Sequence, residues 1–330
     1  MHRRSFLAAL TAAPLVALAG RAGAEAQTKL KSIARDPRGT TFWLSLEHAP
    51  FPAPGAGYRD DTVIVFVPSH YRYDYDDDDE GVEGVAALVH FHGHNTTAER
   101  AMVMHELREQ LADSRQNAIL IVPQLAVMAA DSSCGKLESS GGLSRLVAEA
   151  IVTTAREGRA TLGDARFPIH APRGTVCVSA HSGGYHAAAC CLRGGGLDLG
   201  ETYLFDALYS EVETFRDWVM SRKGASLHHR HKLVSFFVDG TSTDANSSAL
   251  RAQLDHAGVL TASELQEGEL SRRELSHAQA VFLRTSLYHS NVTWETNALR
   301  DCLYASALPR HLSSTWFSHK NEARSIDRRR

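Results

Sequence analysis

Residues 175–191, TVCVSAHSGGYHAAACC, constrain the fold more than any other stretch of this chain. An apolar, β-branched run ends in Ala180-His181-Ser182-Gly183-Gly184 and passes directly into an Ala-rich helical segment. A strand that turns straight into a helix needs small residues where the two backbones approach, and Ala180, Gly183, Gly184 and Ala187 to Ala189 supply them. The pattern is G-x-S-x-G with Ala180 at the first glycine. It lifts one hydroxyl, that of Ser182, above a sheet on a strained turn. The helix N-terminus aims its dipole and free N–H groups at the same point.

Other apolar runs fit the same architecture. Thr62–Pro68 (TVIVFVP), Val85–Phe91 (VAALVHF), Ala118–Pro123 (AILIVP), Thr202–Phe205, Lys232–Val238 (KLVSFFV) and Ala280–Arg284 (AVFLR) read as strands. Helical patterns at 97–112, 143–156 and 249–256, and one containing Trp218, alternate with them. Continuously apolar strands alternating with amphipathic helices predict an α/β fold, a mostly parallel central sheet with helices on both faces. No repeat or Pro/Gly/Ser linker divides residues 25–330, so a single domain is expected. The residues before Thr62 read as a loop-rich lead. Tyr73–Glu80 (YDYDDDDE) reads as a solvated acidic turn without the ligand spacing of a calcium loop. Leu260–His277 and the basic tail beyond His319 read as surface appendages.

Residues 1–24 have the parts of an export signal. Arg3 and Arg4 precede a mostly apolar stretch, Phe6 to Ala19, and Ala22-Gly23-Ala24 offers a small-residue cleavage site. Arg3-Arg4-Ser5-Phe6-Leu7 resembles a twin-arginine signal, with an ordinary secretory signal or an uncleaved anchor as the other readings, the anchor disfavoured by a short apolar stretch that contains Pro14. The mature protein is therefore expected in the periplasm or secreted, with no stable membrane span. Three arginines leave with the signal, taking the formal charge from −3 to −6. That balance gives no electrostatic footprint for nucleic acid. Cys134, Cys177, Cys190, Cys191 and Cys302 lack metal-type spacing. One bridge involving Cys134 or Cys302 is compatible with an oxidising compartment.

With Val89-His90-Phe91-His92-Gly93-His94-Asn95 at the end of an earlier strand, the chain resembles the α/β-hydrolase superfamily. The resemblance implies a serine hydrolase. The segment at Gly93 and His94 would contribute a backbone N–H to the oxyanion hole, and Gly183 would contribute another. A serine needs a general base, because an alcohol is a poor nucleophile at neutral pH. Among eighteen histidines, His289 follows the last apolar run, where the family keeps its base. The acid that orients the imidazole is open among three residues. The family most often places it after the strand at 232–238, which points to Asp239 or Asp244, and sometimes one strand earlier, which points to Asp206. Asp244 has an alternative role as a helix N-cap. Asp206 lies between Phe205 and Ala207-Leu208, where an unpaired carboxylate would be costly to bury. Asp206 is preferred and Asp244 is second.

The expected catalytic set is thus Ser182, His289 and Asp206, with Gly183, Gly93 and His94 around the oxyanion, no metal and no cofactor. The expected substrate is an ester, small or derived from a polymer. Three alternatives stand beside it: a serine peptidase or amidase on the same fold, a metal-dependent hydrolase using His90 and His92, and a non-catalytic binding protein. Asp131–Gly142, Tyr185, Tyr209 and Trp218 are expected to line the pocket by position.

Overall fold

The computed structural model describes residues 29–73, 84–164, 166, 169–264 and 266–324. The signal segment, nearly all of the acidic turn at 73–80 and the last tail residues lie outside the described residues. In chain order the elements are β1 (Lys29–Asp36), β2 (Gly39–Ser45), β3 (Thr62–Pro68), β4 (Val85–Phe91), α1 (Ala98–Met104), α2 (Leu107–Ser114) and β5 (Ala118–Pro123). They continue with α3 (Gly142–Leu162), β6 (Arg173–His181), α4 (Tyr185–Gly194), β7 (Leu199–Phe205), α5 (Val212–Ser221) and β8 (Lys232–Val238). The last are α6 (Ser242–His256), β9 (Thr261–Glu264), α7 (Arg272–His277), β10 (Ala280–Thr285) and α8 (Ala298–Tyr304).

The described strands form one sheet in the order β1-β2-β3-β5-β4-β6-β7-β8-β10-β9. β1, β2 and β3 pair antiparallel, and β3 joins β5 antiparallel. From β5 to β9 every pairing is parallel. The period-2 alternation of a strand explains why its runs are apolar throughout. In β4, Val85, Ala87, Val89 and Phe91 enter one core with residues of α3 to α6, including Leu146, Ala188, Phe215 and Leu250. Ala86 and Leu88 enter a second core with Ala98, Leu107, Leu275 and Leu299 of α1, α2, α7 and α8. Both faces of the mostly parallel sheet are covered, as its continuously apolar inner strands require. Among the described residues, no helix is long and apolar enough to cross a membrane.

Three sequence expectations need correction. Residues 29–45 form the β1–β2 hairpin at the sheet edge rather than a loop. β1 (KLKSIARD) is mostly exposed, so it lacks the apolar run that marks the inner strands. The helical pattern at 97–112 is two helices, broken at His105 and Glu106, the latter with φ of +47°. Leu260–His277 is no appendage. It supplies edge strand β9 and helix α7, and buried Glu264 pairs with buried Arg324 of the tail at 2.8 Å. One charge from each segment is thereby paired inside the protein.

Candidate active site

After β4 the chain moves outward to β5 and then returns to β6 on the other side of β4. Such a reversal opens a crevice at the C-terminal ends of the two strands. The segments that follow β4 and β6 meet in it. Ser182 begins a single 3₁₀ turn, Ser182–Gly184, between β6 and α4, and its φ is +54°. A side chain in that region strains the backbone by about 1–2 kcal/mol. Glycine makes the close approach possible. A Cβ at Gly184 would lie 2.4 Å from the Phe91 carbonyl oxygen, and one at Gly93 would lie 2.7 Å from Ser182 Cβ. A Cβ at Gly183 would lie 3.3 Å from the His94 nitrogen and 3.1 Å from Ser132 Oγ. The backbone of Gly93–His94 therefore borders the same small space as Ser182 and Gly183.

Asp206 directly follows β7 and is 2% exposed. His289 begins a 3₁₀ turn after β10 and is half-buried. His289 Nδ1 lies 2.6 Å from Asp206 Oδ2. With the carboxylate accepting from Nδ1–H, the imidazole keeps its Nε2 lone pair available. The other carboxylate oxygen accepts the Thr243 hydroxyl and the Val238 N–H, the latter at 3.2 Å. Burial pushes the Asp206 carboxyl up, but hydrogen bonds from His289, Thr243 and Val238 outweigh it and hold its pKa below the usual 3.8. The Tyr209 ring is 6.3 Å from that of His289 and 6.2 Å from that of Tyr185. Burial first, and the Asp206 charge second, raise the Tyr209 phenol above its usual value.

The other two candidate acids face elsewhere. Asp239 pairs with Arg284 at 3.0 Å. Asp244 accepts the Gly240 N–H and the Ser248 hydroxyl, and lies 3.4 Å from Arg284. It is not the N-cap of its helix. Thr241 caps α6 and receives the Asp244 N–H. Trp218 also lies apart from the crevice. Its ring stacks on His231 with centroids 4.6 Å apart, and it lines a separate cavity of about 490 Å³ with Asp198 and Leu192.

His90, His92 and His94 do not converge. His94 is exposed. Both nitrogens of buried His92 are engaged: Nδ1–H donates to the Gly93 carbonyl at 2.9 Å, and Nε2 accepts the Leu125 N–H at 2.9 Å. His90 Nδ1 bonds Ser179 Oγ at 2.8 Å. The alternation that resembled a pair of metal ligands is a pair of buried hydrogen-bonding side chains.

Sequence reasoning passed over a run of aromatic contacts behind the crevice. Ring centroids step from His90 to His105 (5.8 Å), to His181 (4.5 Å) and to His289 (4.6 Å). His181 Nε2–H donates to the His289 carbonyl at 2.9 Å, tying the histidine turn to the residue before Ser182. Burial depresses the basicity of the inner rings, with His92 and His181 at about 4 and His90 and His105 well below 6.5. No sequence spacing announces His105, which lies in the break between two helices.

No family model and no curated relative matches this chain. Among solved structures it is similar to a ferulic acid esterase, at 11% identity and TM-score 0.44, covering 84% of this chain and 95% of that one. It is similar to an S-formylglutathione hydrolase from Agrobacterium tumefaciens, at 11% identity and TM-score 0.46, over 84% and 98% of the two chains. It is also similar to the feruloyl esterase module from Clostridium thermocellum, at 12% identity and TM-score 0.43, over 87% and 99%.

Proposed function

We propose that this protein is an exported serine hydrolase that cleaves carboxylic esters through an acyl-enzyme. The observation that carries the reading is the Asp206–His289 pair, held at the C-terminal end of the sheet beside the positive-φ turn of Ser182. Ser182 Oγ attacks the carbonyl carbon while His289 Nε2 takes its proton. Asp206 fixes the imidazole tautomer and stabilises the imidazolium that forms. The oxyanion is held by the N–H of Gly183 and by that of His94 or Gly93. His289 then protonates the departing alcohol, and water activated by the same imidazole releases the acid. An ester is favoured over an amide because an alcohol leaves with less help from protonation than an amine does. Tyr185, Tyr209 and Ser132 border the space an acyl or alcohol group would occupy.

Turnover of short activated esters tests this reading. The wild-type chain is expected to hydrolyse them, and Ser182→Ala to lose activity by about 10⁴-fold or more. Equal rates for the two proteins would refute it. Export rests on residues 1–24 and is tested separately. A mature N-terminus near Glu25 in the periplasmic or extracellular fraction supports it, and an intact Met1 in the cytoplasm contradicts it.

A further inference from the structure

On α4, His186 and Cys190 are four residues apart and so share a helix face. Buried Cys134, from the loop before a 3₁₀ turn at Gly135–Glu138, reaches the same place. One ligand atom from each of Cys134, His186 and Cys190 lies within 4.8 Å of the other two. The Cys190 sulfur is 3.5 Å from His186 Nε2. In a tetrahedral zinc site, bonds of about 2.3 Å to sulfur and 2.0–2.1 Å to nitrogen separate neighbouring ligand atoms by about 3.5–3.8 Å.

The surroundings suit such a site. His186 Nδ1 is 2.9 Å from Glu211 Oε1, and a carboxylate there fixes the tautomer that presents the Nε2 lone pair to Cys190. This carboxylate–histidine arrangement is the usual support of a metal-bound imidazole. Arg193 donates to the Cys190 sulfur at 3.2 Å and pairs with Glu211 at 3.1 Å, which compensates thiolate charge. We infer that Cys134, Cys190 and His186 form a binding site for a thiophilic divalent cation, zinc in particular, braced by Glu211 and Arg193.

Binding displaces two thiol protons and gives a neutral centre of two thiolates, one imidazole and one zinc ion, with solvent at the fourth vertex. The site would clamp the loop carrying Ser132, two residues before Cys134, onto the helix that follows Ser182. It is independent of any chemistry at Ser182. Linear spacing hides it, because Cys134 is far in sequence from the helical pair.

The test uses the full chain, purified without chelator, kept reduced, equilibrated with Zn²⁺ and gel-filtered before elemental analysis. About one zinc per chain is expected, with at least a ten-fold loss in Cys134→Ser and in His186→Asn. Should either variant fail to fold, Co²⁺ bound to the wild-type protein provides the readout, with a near-ultraviolet thiolate-to-cobalt charge-transfer band expected. Zinc retained equally by folded variants overturns the inference. So does wild-type protein with no retained zinc and no cobalt–thiolate band, or a non-reducing peptide map joining Cys134 to Cys190 in a disulfide.

Discussion

His289 Nδ1 sits 2.6 Å from Asp206 Oδ2 across 83 residues of sequence, because the parallel strands β7 and β10, with β8 between them, finish at the same end of the sheet. The contact engages one carboxylate oxygen, while Thr243 and Val238 hold the other. Asp206 is thus fixed from both sides before any substrate arrives.

That arrangement separates the three candidate acids. Asp206→Asn should lower kcat for an activated ester by about 10³–10⁴-fold, because the amide no longer selects the required imidazole tautomer. Asp239→Asn and Asp244→Asn, whose partners include Arg284, should change it by no more than a few-fold. Steady-state kinetics on the three purified variants decides, and a large loss at Asp244 with little at Asp206 would reverse the assignment.

The approach of Gly93 to Ser182 makes a steric prediction. In Gly93→Ala the new methyl meets Ser182 Cβ at 2.7 Å, so the turn must shift. A displacement of that kind at reacting groups should reduce kcat/KM by about 10²-fold. The far-ultraviolet circular dichroism should stay that of the wild type. A variant with full activity would mean that the two segments do not need this contact.

Buried neutral histidines set the direction of the pH dependence of stability. His90, His92, His105 and His181 all have folded values depressed from 6.5 by burial. The unfolded chain therefore binds more protons below about pH 6.5. Their contribution is fully present above that pH and is lost as the pH falls toward 4. Asp301 opposes them, since burial raises its carboxyl from 3.8 to about 6 and the native state holds that proton. His70 is depressed likewise by burial, and the shifts of His186, up to about 9, and Cys190, down to about 5, oppose each other, so five rings against one carboxyl decide the sign. Unfolding free energies from urea titrations should fall between pH 7.5 and pH 5, by about 1.4 kcal/mol per pH unit for each unmatched proton. A flat or rising profile in that window would show that the rings are not neutral and enclosed.

The Glu264–Arg324 pair has both side chains at 0% exposure. Arg324→Leu leaves Glu264 buried without its partner and should destabilise the fold by about 3–5 kcal/mol. The double variant Glu264→Leu/Arg324→Leu should recover much of that loss. Denaturant unfolding of the set provides the check, and an unchanged Arg324→Leu midpoint would place the tail outside the folded core.

What was legible in the sequence follows from which interactions are local. The inner strands announce themselves through apolar runs because both faces of each are buried. The turn at Ser182 is visible because close backbone approach restricts residue type at consecutive positions. Chain order pointed to His289, and the cost of burying a lone carboxylate pointed to Asp206. Those two residues are adjacent in space. The exposed hairpin strand β1, the Glu264–Arg324 pair and the Cys134–His186–Cys190 cluster left no such mark. Each depends on residues distant in sequence or on a surface strand whose polar composition resembles a loop. His105 was hidden for a related reason, since it fills a gap between helices that a continuous helical pattern conceals.

The central claim is that Ser182 is a nucleophile activated through His289 and Asp206. Treatment of the purified protein with a fluorophosphonate, followed by peptide mass mapping, tests it most directly. One covalent adduct on the peptide carrying Ser182 is expected, formed much more slowly in Asp206→Asn and in His289→Ala. Folded wild-type protein that remains unlabelled, or is labelled only at another residue, would contradict the account.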